Sequence, residues 1–115
     1  MAVTRARASR ANAAKLTQAA REMEPHAVEA AELLKALANE QRLMILCHLV
    51  HGPLSVSELN ERVPLSQSAL SQHLAVLRES TIVRTQRQSQ TIFYSLPEGV
   101  VTRLIGVLHR EFCKR

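Results

Sequence analysis

The side chains of this chain best suited to reading a ligand are small, polar and confined to one short segment. Within residues 66–78, Leu70, Leu74 and Leu77 fall on one face of a helix, which leaves the opposite face to uncharged hydrogen-bonding side chains. Gln can pair with adenine through two hydrogen bonds, and Ser can bond to either base type or to a phosphate. A solvated surface helix shows the same polarity, so this face alone does not establish contact with DNA. The candidates for base contacts are Gln67, Ser68, Ser71 and Gln72.

Polar residues near that face suit the sugar-phosphate backbone of DNA better than the bases. His73 and Arg78 follow on the same predicted helix and are expected to contact phosphates. Further along the chain, Arg87 stands beside Gln88 and Gln90, from which it can reach phosphates or the minor groove.

The chain has two cysteines, Cys47 and Cys113. Cys47 shares a helical spacing with Leu43, Leu46 and Val50, which predicts that it faces the core. A cysteine in that position is usually a small hydrophobic residue, whereas Cys113 is near the end of the chain, where access is easier. A reactive pair is the alternative, and spacing does not decide between the two.

Enzymatic and metal-binding functions find little support in the sequence. A small thiol oxidoreductase or peroxidase is the enzymatic alternative, but the chain has no Asp, no Cys-x-x-Cys and no Gly-rich phosphate loop. His48 and His51 have a spacing that can hold a metal. They fall in the last turn of a predicted helix, where cationic side chains favour the helix dipole. We therefore expect neither a metal, nor a cofactor, nor catalysis.

Capping signals locate the helices that carry these candidates. Pro25 begins a first helix and Asn39 caps a second. Ser55-Val-Ser-Glu58 is a capping box, and Ser66 caps the helix with the Ser/Gln face. Two capped helices in succession predict a helix-turn-helix.

The remaining segments predict a β-hairpin and a last helix. Residues 82–87 and 91–96 are rich in β-forming residues and are separated by Gln88-Ser89-Gln90, and Pro97 begins the final helix. The predicted fold is therefore mainly α with a β-hairpin wing, in the order α-α-α-α-β-β-α, which is a winged helix-turn-helix.

The excess positive charge of the chain is confined to its N-terminus. Residues 1–21 contain five basic residues and no acid. Over residues 22–115, ten basic residues are balanced by ten acidic residues. We expect a basic arm over residues 1–22, flexible or partly helical, and one domain over residues 23–115. Such an arm suits a polyanion, although a solvated tail is the ordinary interpretation and a mitochondrial transit peptide a distant third. The cytoplasm is the expected location, and no apolar segment is long enough to span a membrane.

Three motifs resemble the ArsR/SmtB family of bacterial dimeric winged-helix repressors, with the likeness extending over residues 28–113. They occupy residues 33–43, 65–74 and 92–94. Within the family, the chain is most similar to the metal-independent, thiol-based branch that includes HlyU, BigR and SqrR. That branch is marked by one cysteine on the second helix and one near the C-terminus, matched here by Cys47 and Cys113.

The resemblance implies a function and a regulatory chemistry. It implies a homodimer, formed through the first and last helices, that binds a near-palindromic operator in double-stranded DNA. It also implies that reactive sulfur species or an oxidant join Cys47 and Cys113 through a disulfide or polysulfide bridge and lower operator affinity. A metal-responsive repressor of the same fold is an alternative, but Ser55 and Ser57 stand where arsenic-sensing members have cysteines.

The chain departs from the family at three turns where glycine is usual. Val63-Pro64 precedes the helix with the Ser/Gln face, Thr81 follows it, and the wing turn Gln88-Ser89-Gln90 has no glycine. Because a β-branched residue is strained at positive φ, we expect the turn at Thr81 to be either rebuilt or strained.

Overall fold

The computed structural model describes the backbone of residues 2–113 and the side chains of residues 12–113. Contacts divide the chain into two compact units, Met1–Glu32 and Leu33–Arg115. In the first unit, helix α1 spans Ala2–Met23 and is followed by a 3-10 turn at Glu24–His26. Helix α2 (Ala27–Leu37) begins directly after this turn, which contains Pro25. The domain boundary that we placed after residue 22 stays a prediction.

The described part of the second unit contains four more helices. Three begin where their capping signals predict, whereas the last begins at Val100, three residues after the predicted start at Pro97, because Gly99 is its N-cap. Helix α3 spans Glu40–Leu49, α4 spans Val56–Arg62, α5 spans Gln67–Glu79 and α6 spans Val100–Phe112. The Asn39 side chain accepts a hydrogen bond from the Arg42 amide at 3.0 Å, and the Ser66 hydroxyl accepts one from Ala69 at 3.2 Å. Each cap satisfies a backbone donor that the first helical turn leaves unpaired.

The capping box of α4 is complete. The Ser55 amide donates to the Glu58 carboxylate at 2.9 Å, and the Glu58 amide donates to the Ser55 hydroxyl at 3.1 Å. The hydrogen bond from the backbone of Ser55, followed by that from its side chain, holds the pKa of Glu58 below its usual range. This reciprocal pair fixes where α4 begins and hence where the turn into α5 falls.

A three-stranded antiparallel sheet forms the wing and its base. Strands β1 (Leu54–Ser55), β2 (Arg84–Gln88) and β3 (Thr91–Ser95) lie in the order β1-β3-β2. In the hairpin Gln88 pairs with Thr91, and at the other edge Leu54 pairs with Tyr94. We did not predict β1, because a strand of two residues directly before a helix has no alternation to detect.

The hairpin begins two residues later than its sequence indicates. Ile82 and Val83 are buried, but their amides donate to the carbonyl of Leu77 at 2.9 and 3.4 Å. These bonds complete the C-terminal turn of α5, so the two residues close the helix instead of extending the ladder.

The core joins the helices around α5. Its seven least exposed side chains come from α3, α4 and α5, and they include the predicted stripe of α5. They are Ile45, Leu46, Leu49, Leu59, Leu70, Leu74 and Leu77. Burying side chains of this size stabilises the fold by roughly 1.5–3 kcal/mol each, so this contact fixes the orientation of α5.

One prediction about the core is wrong. Cys47 and Val50 are exposed, and the buried residues of α3 are Ile45, Leu46 and Leu49. Residues 43–47 are all apolar or nearly so, which makes two helix faces equally plausible from the sequence. Packing against α5 selects the face with Ile45, and Cys47 is therefore left at the surface.

The predicted fold class is confirmed as a mainly helical winged helix-turn-helix with a β-hairpin. α4 and α5 are the helix-turn-helix pair, and β2 and β3 are the wing. α1 and β1 are additional to the expected order.

The turn after α5 is strained, as its sequence allowed. Thr81 has a φ of 55°, in the left-handed region that disfavours β-branched residues. Its amide donates to the Arg78 carbonyl at 3.0 Å, and the buried Ile82 follows it directly. The hydrogen bond and the burial hold Thr81 in a conformation that costs of the order of 1–3 kcal/mol.

Replacing Thr81 by glycine is expected to stabilise the protein. The strain energy that glycine relieves exceeds the entropic cost of a more flexible unfolded chain. T81G should therefore raise the free energy of unfolding by about 1 kcal/mol. S80G is the matched control, since Ser80 has a φ of −82° and no strain to relieve. It should lower the free energy of unfolding by about 0.5–1 kcal/mol in the same urea titration. Equal losses in both variants would contradict the assignment of strain to Thr81.

Candidate functional site

Helix α5 presents the polar face that its sequence predicts. Gln67, Ser68, Ser71 and Gln72 are all exposed, whereas the Leu stripe of the same helix is buried. The Ser68 hydroxyl lies 3.4 Å from that of the capping Ser66. The face carries donors and acceptors but no charge, which suits hydrogen bonding to base edges in a major groove.

The two residues expected to contact phosphates differ in their surroundings. Arg78 is exposed in the last turn of α5, whereas His73 is half-buried. The Nδ1 atom of His73 lies 3.3 Å from a terminal nitrogen of the Arg42 guanidinium, on α3. The face of α5 is thus attached to α3 by a polar contact as well as by the Leu stripe.

Arg42 is the residue that sequence reasoning missed. Its Nε donates to the carbonyl of Ala36 at 2.6 Å, and its other terminal nitrogen donates to that of Lys35 at 3.4 Å. A cation in the first turn of a helix opposes the helix dipole. Arg42 stands three residues after the cap Asn39. This unfavourable placement was the one signal in the sequence that its side chain bonds to groups outside α3.

The wing exposes the residues expected at the DNA backbone. Arg87, Gln88 and Gln90 are exposed at the end of the hairpin, with Arg87 opposite Ile92. Ser89 has a φ of 58° at the first position of the two-residue turn, where hairpins favour glycine. The three residues of the wing turn, Gln88 to Gln90, are thus all polar and exposed.

The two cysteines are free and exposed, and they are not near each other. Partial burial, followed by the negative charge of Cys113, raises the pKa of the Cys47 thiol. The Cys47 side chain is accessible to solvent, but the protein still covers part of it, and this partial cover is enough to disfavour the charged thiolate. Charge acts over several ångströms, so Cys113 affects the titration of Cys47 without touching it. Cys47 holds less thiolate at neutral pH than an ordinary cysteine.

The described residues offer no group of three or more His, Cys or Glu side chains that could hold a metal ion. Among the same residues, no helix is both long and apolar enough to cross a membrane.

Known proteins match this arrangement in sequence and in structure. The profile of the family described as "Bacterial regulatory protein, arsR family" matches residues 39–85, from the cap of α3 into β2. The transcriptional activator HlyU of Vibrio cholerae is 53% identical over 93 residues, which cover 81% of this chain and 86% of the relative. The chain belongs to the ArsR family.

Two further comparisons extend this result. The biofilm growth-associated repressor of Xylella fastidiosa is 47% identical over 92 residues, or 80% of this chain and 81% of the relative. The structure of reduced HlyU from Vibrio cholerae superimposes with a TM-score of 0.75 at 52% identity, covering 82% of this chain and 99% of the other. Like these relatives, the ArsR-family chain is a transcriptional regulator and not an enzyme. Regulators of the family bind DNA, typically as dimers.

Removing Cys113 is expected to shift the titration of Cys47. In C113S the pKa of Cys47 should fall, because the negative charge of Cys113 is lost, but it should stay above that of an ordinary cysteine, because burial is the larger cause. The measurement is the rate of alkylation of the Cys47 peptide against pH, followed by mass spectrometry in wild type and variant. An unchanged midpoint would show that the two thiols do not interact.

Proposed function

We propose that this protein is a sequence-specific DNA-binding regulator whose affinity for its operator falls when Cys47 and Cys113 are oxidised or persulfidated. The observation that carries the DNA-binding part is the exposed Ser/Gln face of α5 on a helix whose other face is buried. Family membership supports the assignment of that face to DNA.

The recognition helix in this proposal is α5. Gln67, Ser68, Ser71 and Gln72 read base edges in the major groove, while His73 and Arg78 contact phosphates. The wing places Arg87, Gln88 and Gln90 against the backbone or in the adjacent minor groove. The basic residues of α1 add attraction that does not depend on sequence.

The proposed assembly is a homodimer formed through α2 and α6. Apolar side chains on both helices are exposed in the single chain: Leu34 of α2 is 55% exposed and Phe112 of α6 is 71% exposed. Val100, Val107 and Leu108 of α6 are exposed as well. A twofold axis through such an interface presents two copies of α5 to successive major grooves, which requires a near-palindromic operator.

The proposed inducer is a reactive sulfur species or an oxidant, in the cytoplasm. With hydrogen disulfide, the thiolate of one cysteine attacks a sulfur atom, forms a persulfide and expels hydrosulfide. The second cysteine then attacks the sulfur bonded to the first residue, closes a disulfide and expels another hydrosulfide. Two thiols lose two electrons, and hydrogen disulfide gains them. Hydrogen trisulfide can instead give the first cysteine a chain of two added sulfurs. Attack of the second thiolate on the inner of these two sulfurs then expels hydrosulfide and leaves a trisulfide bridge.

Closing this bridge requires movement, because the two thiols start apart. A disulfide holds its Cα atoms within about 7 Å of each other. Cys113 directly follows the last turn of α6, so approach to α3 displaces the end of a helix that we place in the dimer interface. Such a displacement changes the spacing of the two recognition helices.

The recognition face is tested by one glutamine. The Q72A variant should bind a site selected by the wild-type protein from random DNA more weakly by about 1–3 kcal/mol, because a base contact is lost. Fluorescence anisotropy measures this loss, and Q18A on α1 is the matched control.

A protein that lacks residues 1–21 should still bind the selected site. Loss of all binding on that deletion, or equal affinity for random DNA, would indicate a protein that coats DNA without reading it.

The bridge is tested by treating reduced protein with hydrogen polysulfide. Wild type should lose affinity for its selected site about 5- to 150-fold, because coupling between such sites is typically 1–3 kcal/mol. C47S and C113S should keep their affinity and should bind as wild type before treatment. Mass spectrometry after polysulfide or peroxide reports which agent forms the bridge and its length. A C113S variant that loses DNA as wild type does would exclude the bridge as the switch.

A further inference from the structure

The Arg42 side chain connects α3 with the C-terminal end of α2 and with α5. From the first turn of α3 it donates to the last carbonyls of α2, at Lys35 and Ala36, and it reaches His73 of α5. All three contacts come from one planar group, so a change in any of the three helices alters the geometry of the others. Charge-assisted bonds of this kind are stronger than neutral ones.

The contact with His73 determines where the imidazole carries its proton. A guanidinium has five N–H donors and no acceptor. A hydrogen bond across the 3.3 Å between the two nitrogens therefore makes Nδ1 of the neutral His73 ring the acceptor, which leaves the proton of that ring on Nε2. The ring then has one donor left, at Nε2, on the helix that carries the polar face.

We propose that Arg42 is a positioning residue for DNA recognition, which fixes the tautomer and orientation of His73 so that its Nε2–H donates to a phosphate oxygen. This inference rests on the proposed function of α5. Arg42 itself stays attached to the carbonyls of α2 and does not contact DNA. Through these bonds Arg42 connects His73, the residue that contacts the phosphate, to α2, a helix of the proposed dimer interface.

The placement of Arg42 supports this role. An arginine in the first turn of a helix opposes the dipole of its own helix, but Arg42 lies at the C-terminal end of α2, where a cation is favoured. The half-burial of His73 adds to the constraint, because a ring that is partly covered has fewer rotamers open to it. The imidazole is thus oriented before DNA arrives.

The first test reads the tautomer directly, in the full-length protein without DNA. Long-range ¹H–¹⁵N spectra should show His73 protonated at Nε2 and unprotonated at Nδ1 in wild type. R42M keeps the length of the side chain but removes its donors, and the tautomers of His73 should then mix. R62M is the matched control, since Arg62 is exposed at the end of α4, and it should leave His73 unchanged. A wild-type ring protonated at Nδ1, or an R42M spectrum identical to wild type, would overturn the proposal.

The second test measures affinity for the DNA site that wild type selects from a random pool. R42M and H73A should each weaken binding about 5- to 10-fold, the effect of one hydrogen bond, and the double variant should lose no more than either. A double variant whose loss of affinity equals the product of the two single losses would overturn the coupling between Arg42 and His73. H73A keeps the bonds from Arg42 to α2, so it decides the outcome if R42M unfolds: an H73A variant that binds as wild type would overturn the proposal.

Failure of the inference differs from failure of the proposed function. If wild type selects no sequence at all, the proposed function falls and the inference falls with it. If wild type selects a site but the losses of R42M and H73A multiply, the inference alone falls.

Discussion

The burial of one stripe of leucines on α5 is the constraint on which the rest of the structure depends. Leu70, Leu74 and Leu77 are fully enclosed, and they pack into the core formed by α3 and α4. Because a helix has 3.6 residues per turn, fixing these three side chains also fixes which residues of α5 meet solvent. The polar face therefore owes its orientation to apolar packing. A rotation of α5 that turned this face inward would expose three leucines at a cost of several kcal/mol.

Helix α3 combines packing with two kinds of chemistry. Its buried face, with Ile45, Leu46 and Leu49, supports α5. Arg42 in its first turn reaches His73 of α5, and Cys47 in its last turn lies at the surface with a raised pKa. The two residues are five positions apart on the helix, which places their Cα atoms about 7.5 Å apart along its axis. One of the two cysteines of the proposed bridge thus lies on a helix that also contacts α5.

Two turns show how tertiary contacts hold residues that the local backbone disfavours. Thr81 and Ser89 both adopt positive φ where glycine would be unstrained. At Thr81, the adjacent burial of Ile82 and the bonds to the end of α5 offset the strain. At Ser89, pairing of Gln88 with Thr91 closes the hairpin around the residue. Neither turn changes the architecture, because the energy that each costs is small beside that of the core.

The sequence alone determined the helices, the helix-turn-helix, the polar face of α5 and the family, because caps, helical spacing and motifs are local properties. Tertiary structure decided which face of α3 is buried, and Cys47 lies outside the core because an almost wholly apolar segment has no preferred face until it packs. It also decided the partner of Arg42, which lies 31 residues away, and the separation of the two cysteines. Such contacts join residues distant in the chain, and no local pattern records them.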